Sequence, residues 1–330
     1  MKQRIEWLAL LRGLNILLVV MFHVQLINMA TGESFEFCRD ICKPFNPIRM
    51  PLFVFCSGGL LYLSRIRKEW DIKSLYLDKV YRIVFPFLFF VTFYYFFKLL
   101  LNPFIKTKVI FSISDFISSF CIYQNKPSAH LWYLSVLFFF MLLYPLFRWL
   151  CRRKERMILF LLFTFLFYFI PIDIPAEKNY FYIFSLHSYL VYFFFGVFFF
   201  RYSLYEYLQT KVSLLISFIL YAISFWYDIP LVSSLTGILL MISLSQHIAK
   251  FCPNLFISFR EYIYQIYLMS FIFQPFVELV LWKKLFYNEN LVILFYILNV
   301  LSGIYLPTII SKYVKESNYK WLKICLGLKA

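Results

Sequence analysis

The sequence predicts an all-α, polytopic integral membrane bundle of about ten transmembrane helices with both termini cytoplasmic, and three observations carry that expectation. The first is composition: of 330 residues, 62% are hydrophobic and only 15% charged, where a soluble chain carries about a quarter charged residues. The second is patterning, because the apolar residues gather into ten runs, at 6–28, 46–64, 81–101, 130–150, 157–171, 187–200, 212–227, 230–249, 261–282 and 291–311. A bilayer-crossing helix needs about 20 mostly apolar residues; the fifth, sixth and seventh runs are short and call for tilt, interfacial aromatics or a re-entrant course. The third is charge placement: with the N-terminus inside, 22 of the 33 Lys and Arg fall in inner segments and 10 in outer ones, the asymmetry that orients membrane proteins.

The elements follow in order. The first run contains Arg12, Gly13 and His23. The second ends in Ser57-Gly58-Gly59, small residues that permit close helix packing. The third opens on Lys79 and Arg82 ahead of Pro86, and the fourth opens at His130 and Trp132. The longest segment between runs is the loop from Asn102 to Ala129. The ninth run holds Glu278, and a short basic cytoplasmic tail, 312–330, follows the tenth. No repeat period and no soluble domain interrupt the series, so residues 1–330 read as a single membrane-embedded domain. The first run is long and lacks a small-residue cleavage site, so no cleavable signal peptide is expected.

The net charge of +16 does not point to nucleic acid, since a nucleic-acid groove needs a solvated basic face and these charges sit in short clusters between apolar runs. Seven cysteines form no CxxC pair and no Cys/His cluster at metal spacing; no metal site and no permanently bound cofactor are expected. Cys38 and Cys42 alone lie close together, as a disulfide or as two free thiols according to the compartment they face.

Ionisable groups inside a membrane helix are costly, and they usually find a partner and mark a functional path. From Arg12 to His23 an ideal helix turns about 1100°, within about 20° of three full turns, and rises about 16 Å. The two side chains are therefore expected on one stripe, Arg12 in the inner half and His23 in the outer. Two readings stay open: a functional pair, or an arginine that snorkels to the interface beside a hydrogen-bonded bundle histidine.

The stretch RIEWLALLRGLNILLVVMFH resembles the opening helix of acyltransferase family 3, whose hallmark is an Arg and a His separated by ten residues. Three further segments resemble that family in the expected order: MPLFVFCSGGLLYLSR from Met50, KVYRIVFPFLF from Lys79 and HLWYLSVLFFFMLLYPLF from His130. Together they cover roughly the first 150 residues. Two positions depart from the family pattern. Ala9 stands where many members have an acidic residue three before the helix arginine, and Ser270 stands where many place a His after an aromatic-Leu pair.

The resemblance implies a membrane O-acyltransferase, moving an acyl group, commonly acetyl from acetyl-CoA, to a sugar hydroxyl of a cell-surface or lipid-linked glycan, an O-acetylation of polysaccharide at the cell envelope. It places the chain in the cytoplasmic (inner) membrane, with acyl-CoA as co-substrate. A sugar hydroxyl is a poor nucleophile at neutral pH, so a base must take its proton as it attacks the thioester. His23 is the candidate, as a direct base or as the carrier in an acyl-histidine relay. Coenzyme A is a cytosolic anion and calls for basic residues on the inside: Lys79 and Arg82 first, Arg65, Arg67 and Lys68 after them, each of which also serves as ordinary positive-inside anchoring. Arg12 is placed to meet the donor chain or the thioester oxygen. On the outer side Arg49, His130 and Trp132 are candidate acceptor contacts, although an interfacial Trp is also a membrane anchor. Glu278 and His187 are further polar residues on that side, without a motif behind them.

A function from another class stays open, a transporter such as a flippase of lipid-linked sugars. Transporters often carry two related halves, which are not visible here. A glycan polymerase would want a long outer loop rich in Arg, and 102–129 contains none.

Overall fold

The computed structural model describes residues 6–29, 31–103, 108, 110–122, 126–172, 174–175 and 178–329. It is 77% helix, with no strands among the described residues. The principal helices are α1 (Glu6–Phe22), α2 (Asn46–Leu61), α3 (Ile72–Lys79), α4 (Phe85–Leu100), α5 (Trp132–Leu142), α6 (Tyr144–Leu150), α7 (Lys154–Tyr168), α8 (Leu186–Arg201), α9 (Lys211–Trp226), α10 (Pro230–Phe251), α11 (Ile263–Phe276), α12 (Val292–Glu316) and α13 (Lys320–Cys325).

Each of the ten apolar runs is helical, but they are not equal in length. Six helical stretches among the described residues are long and apolar enough to cross a membrane, and α5 with α6, bent by 53° at Leu143, would make a seventh. The expected ten is not reached because α7 and α9 have 15 and 16 residues and because only 17 residues of α1, from Glu6 on, are among those described. At 1.5 Å per residue these span about 23–26 Å, short of a hydrocarbon core of about 30 Å.

Three of the long stretches change pitch. Turns of π-helix occupy Tyr62–Ile66 after α2, Val80–Val84 between α3 and α4, and Val277–Leu285 after α11. Such wide turns are rare and gather at functional sites; these three contain Arg65, Arg82 and Glu278.

The chain forms two compact units. The first comprises Met1–Phe53 and Ser203–Tyr313. In it α9 lies along α10, and α1 packs on α10 and α11. Pro51 lies inside α2 and has no N–H to offer the Pro47 carbonyl one turn back; Ser234 Oγ of α10 donates to that carbonyl instead, at 2.7 Å. The Tyr221 hydroxyl of α9 likewise donates to the Pro44 carbonyl. Within a membrane every backbone group needs such a partner, which is why these serines and tyrosines sit in otherwise apolar helices. Cys38 and Cys42 are buried free thiols, not a bridge.

The second unit comprises Val54–Tyr202 and Val314–Ala330. Here α8 packs along α7 and meets α2 at close quarters: a Cβ on Gly58 would overlap the Phe193 carbonyl, and one on Gly196 would overlap the Phe55 carbonyl. The small residues read from the sequence thus serve helix contact. Around that contact Phe55, Phe140, Phe147, Phe193, Phe194 and Phe199 are fully buried, a core of aromatic area rather than of aliphatic branches. The short α13 packs on α4.

Candidate active site

In the first unit the site is built where α1 stops. A helix leaves its last carbonyls without intrahelical donors. At the end of α1 the Val20 carbonyl accepts from the His23 amide at 3.1 Å and from Gln274 Nε2 of α11 at 2.9 Å. Two residues beyond His23 the chain is held again: Glu278 Oε1 accepts from the Gln25 amide at 2.7 Å and from Asn299 Nδ2 of α12 at 3.2 Å. Trp282 Nε1 donates to the Ile27 carbonyl at 2.8 Å. His23 therefore sits in a turn fixed on both sides by side chains of α11 and the π turn after it, with Asn299 of α12 bracing Glu278.

α1 ends at Phe22, so the ideal helical phase that would align Arg12 with His23 stops one residue short of the histidine. Arg12 is half-buried in mid-helix. The imidazole of His23 packs 4.3 Å from the Phe271 ring of α11 and edge-on to Phe22. The Arg49 guanidinium lies 3.0 Å over the centre of that same Phe22 ring, a cation–π contact. The structure thus brings Arg49, expected on the acceptor side, to the immediate surroundings of His23.

In the second unit the basic residues of the third run converge on one carboxylate. Asp78 receives Arg65 at 3.0 Å, Lys79 at 3.2 Å and Arg82 at 3.1 Å. The Arg65 guanidinium also lies 3.3 Å over the Trp70 ring, and Arg65 Nε is buried without a hydrogen-bond partner. Three cations on one anion leave the cluster two positive charges in excess. Lys79 and Arg65 form the polar end of a hollow of about 150 Å³ whose remaining lining includes Ser57, Leu60, Ser64 and Met141. Ser57 and Leu60 lie on the last turns of α2 and Ser64 in the π turn that follows, so the hollow runs along the end of that helix. At its far end Ser57 Oγ and the Tyr133 hydroxyl share a hydrogen bond of 2.5 Å.

The other expected contacts of this unit are already engaged. His130 meets the buried Tyr94 edge-on at 4.4 Å. Trp132 stacks on Tyr182 at 5.3 Å and leans on Tyr189 at 4.9 Å. His187 uses both ring nitrogens, Nδ1 donating to the Phe184 carbonyl at 2.7 Å and Nε2 accepting from Ser188 at 3.1 Å.

The sequence reading fixed on charges and so missed Gln274 and Asn299, which are almost fully buried and set the position of His23. Amides inside apolar runs were the available signal. It also missed Asp78, although an acid beside Lys79 and four residues before Arg82 is a readable ion-pair spacing.

The chain is thus a helical membrane protein with a capped histidine turn in one unit and a cationic hollow in the other. The family described as an acyltransferase domain matches residues 5–312, essentially the whole chain, and the protein belongs to acyltransferase family 3. It is an acyltransferase of the membrane. No curated protein and no solved structure matches the chain.

Proposed function

We propose that the protein is an O-acyltransferase of the cytoplasmic membrane that moves an acyl group, most simply acetyl, from acyl-CoA to a hydroxyl of a cell-surface or lipid-linked glycan. The observation that carries this reading is the hollow between Lys79 and Ser57. A polyanion on a flexible arm suits a cavity that Lys79 and Arg65 make cationic and that Leu60, Leu61, Leu137 and Met141 line with apolar side chains.

In this reading Lys79 and Arg82 hold phosphates of the donor, supported by the uncompensated charge around Asp78. Arg12 serves the donor chain. His23 takes the proton of the acceptor hydroxyl as its oxygen attacks the thioester carbonyl carbon. The C–O bond forms, the C–S bond breaks, and the thiolate leaves with a proton returned by the imidazolium. Direct transfer is preferred to an acyl-histidine intermediate, because the caps on both sides of His23 hold it in one place. Arg49, His130 and Trp132 are assigned to the acceptor, and both units to one catalytic domain with its termini in the cytoplasm, where the excess of Lys and Arg places them.

The test is acyl transfer by the purified full chain in nanodiscs, with labelled acetyl-CoA and surface glycan, read by mass spectrometry. A gain of one acetyl group per modified sugar is expected. No transfer to any glycan hydroxyl, with acetyl-CoA or longer acyl-CoA, would sink the proposal.

A further inference from the structure

A second basic hollow in the unit formed by Val54–Tyr202 and Val314–Ala330 lies outside the site described above. It has a volume of about 330 Å³ and is lined by Arg67, Arg148, Arg152 and Arg201, with Glu69 and Cys151 beside them. The arginines come from three separate places in the chain: the turn after Tyr62–Ile66, the end of α6 with the loop that follows it, and the last residue of α8. Three segments therefore bring guanidinium groups to one cavity.

The carboxylate at this cavity does little to balance them. Glu69 reaches only Arg148, at 3.7 Å, and its side chain is 80% exposed, so the pair is long and screened. Arg67, Arg152 and Arg201 have no carboxylate partner among the described residues. Charge bias at a membrane face explains why a segment holds arginines, and helix dipoles favour cations at the ends of α6 and α8. Neither explains why four guanidinium groups line the same cavity, where they repel one another. Guanidinium is the group that meets phosphate through two parallel hydrogen bonds, and the volume lies within the about 300–1,000 Å³ of small-molecule sites. Burial pushes the Cys151 thiol up to about 12, so it stays neutral and adds no negative charge to that of Glu69.

The hollow adjoins the Asp78 cluster through one residue. Arg148 donates to the Trp70 carbonyl at 3.5 Å, and the Trp70 ring carries Arg65 on its face.

We propose that Arg67, Arg148, Arg152 and Arg201 form a binding site for a phosphomonoester dianion, separate from the phosphate contacts of Lys79 and Arg82. Its source is either the 3′-phosphate on the nucleotide end of acyl-CoA, which rests on the reading under Proposed function, or a monoester lipid headgroup such as phosphatidate.

The experiment uses the full chain in nanodiscs of neutral lipid, with adenosine 3′,5′-bisphosphate as the soluble probe, adenosine as its uncharged control, and phosphatidate added to the disc in a separate arm. Arg152→Gln and Arg201→Gln each remove one guanidinium and should weaken bisphosphate binding about tenfold, the double variant about a hundredfold. Gel filtration confirms that the variants remain folded, and Arg201→Lys should recover part of the loss, which a purely structural role would not. Arginine-dependent bisphosphate binding supports the nucleotide source. Arginine-dependent thermal protection by phosphatidate alone supports the lipid source. Protection by neither, or binding unchanged in the double variant, overturns the site. If acyl transfer from acyl-CoA proceeds without such binding, only the site fails; if the bisphosphate binds and no acyl-CoA is used, only the acyltransfer reading fails.

Discussion

The two units solve the same problem, placing polar groups in an apolar helical frame, with opposite chemistry. Around His23 the fasteners are amides, a carboxylate and an indole, each bonded to backbone or to another side chain of its own unit. Around Asp78 and in the four-arginine hollow the groups are cations in excess over their counter-ions. A turn held by directional hydrogen bonds suits a task that depends on where one proton acceptor sits. A cationic surplus suits a ligand that brings its own negative charge. The difference teaches that position and charge are supplied by separate regions, and it can be broken at either end.

The largest effect is expected at His23. His23→Ala should lower acyl transfer by about 10²–10⁴-fold, the usual contribution of a positioned base, while gel filtration and membrane insertion stay as in the parent chain. Wild-type turnover in a correctly inserted variant would remove His23 from the chemistry.

Next come its supports. Asn299→Ala leaves Glu278 with one fewer donor, and loss of a hydrogen bond to a charged group costs about 1.5–3 kcal/mol. If the amide positions the turn, kcat should fall by about 10–100-fold with little change in the KM for acyl-CoA. A rise in KM alone would place Asn299 with the donor and blur the contrast between the units.

Arg82→Ala should act the other way, raising the KM for acyl-CoA about tenfold through loss of one charge-assisted contact. Added salt should raise the same KM in the parent chain, because partly exposed charge is screened within about 8–10 Å at physiological ionic strength. A KM indifferent to both would break the assignment of charge to the Asp78 cluster.

The smallest effect is expected at Asp71, whose carboxylate caps α3 by accepting from the Ser74 amide at 3.1 Å. That hydrogen bond holds the Asp71 carboxyl below the usual carboxylate range. Its contribution is thus complete at neutral pH, and it is lost only as pH falls through the lowered folded-state value, below the ordinary value of about 3.9. Asp71→Asn, which keeps an acceptor, should leave the melting temperature in detergent almost unchanged at pH 7, and Asp71→Ala should lower it slightly; a large drop for either would mean that Asp71 does more than cap.

Much of this was legible in the sequence. Hydropathy located all ten helical runs, because apolar residues dominate them so fully that no other element competes. The motif residues Arg12, His23, Lys79, Arg82, His130 and Trp132 could be named, since charge, imidazole and indole stand out in a background of Phe and Leu. What could not be read was where α1 ends: nothing in Met21-Phe22-His23-Val24 breaks a helix locally, and the break is held by Gln274, Glu278 and Asn299, some 250 residues away or more. The span count fell short where the runs themselves were short: the fifth and seventh stay short as α7 and α9, with 15 and 16 residues, whereas the sixth is lengthened to Tyr180–Arg201 by the helical turns ahead of α8.

The π turn between α3 and α4 carries a consequence of its own. Val80–Val84 holds one residue more than an α-helix needs to cover the same rise, so α4 is rotated by about 100° relative to a straight continuation of α3. Deleting Ile83 or Val84 should then leave a continuous helix that keeps the Asp78–Arg82 pair four residues apart while turning α4 about the helix axis. A one-residue deletion at this turn would therefore redirect the side chains of α4 relative to the Asp78 cluster without dismantling the bundle.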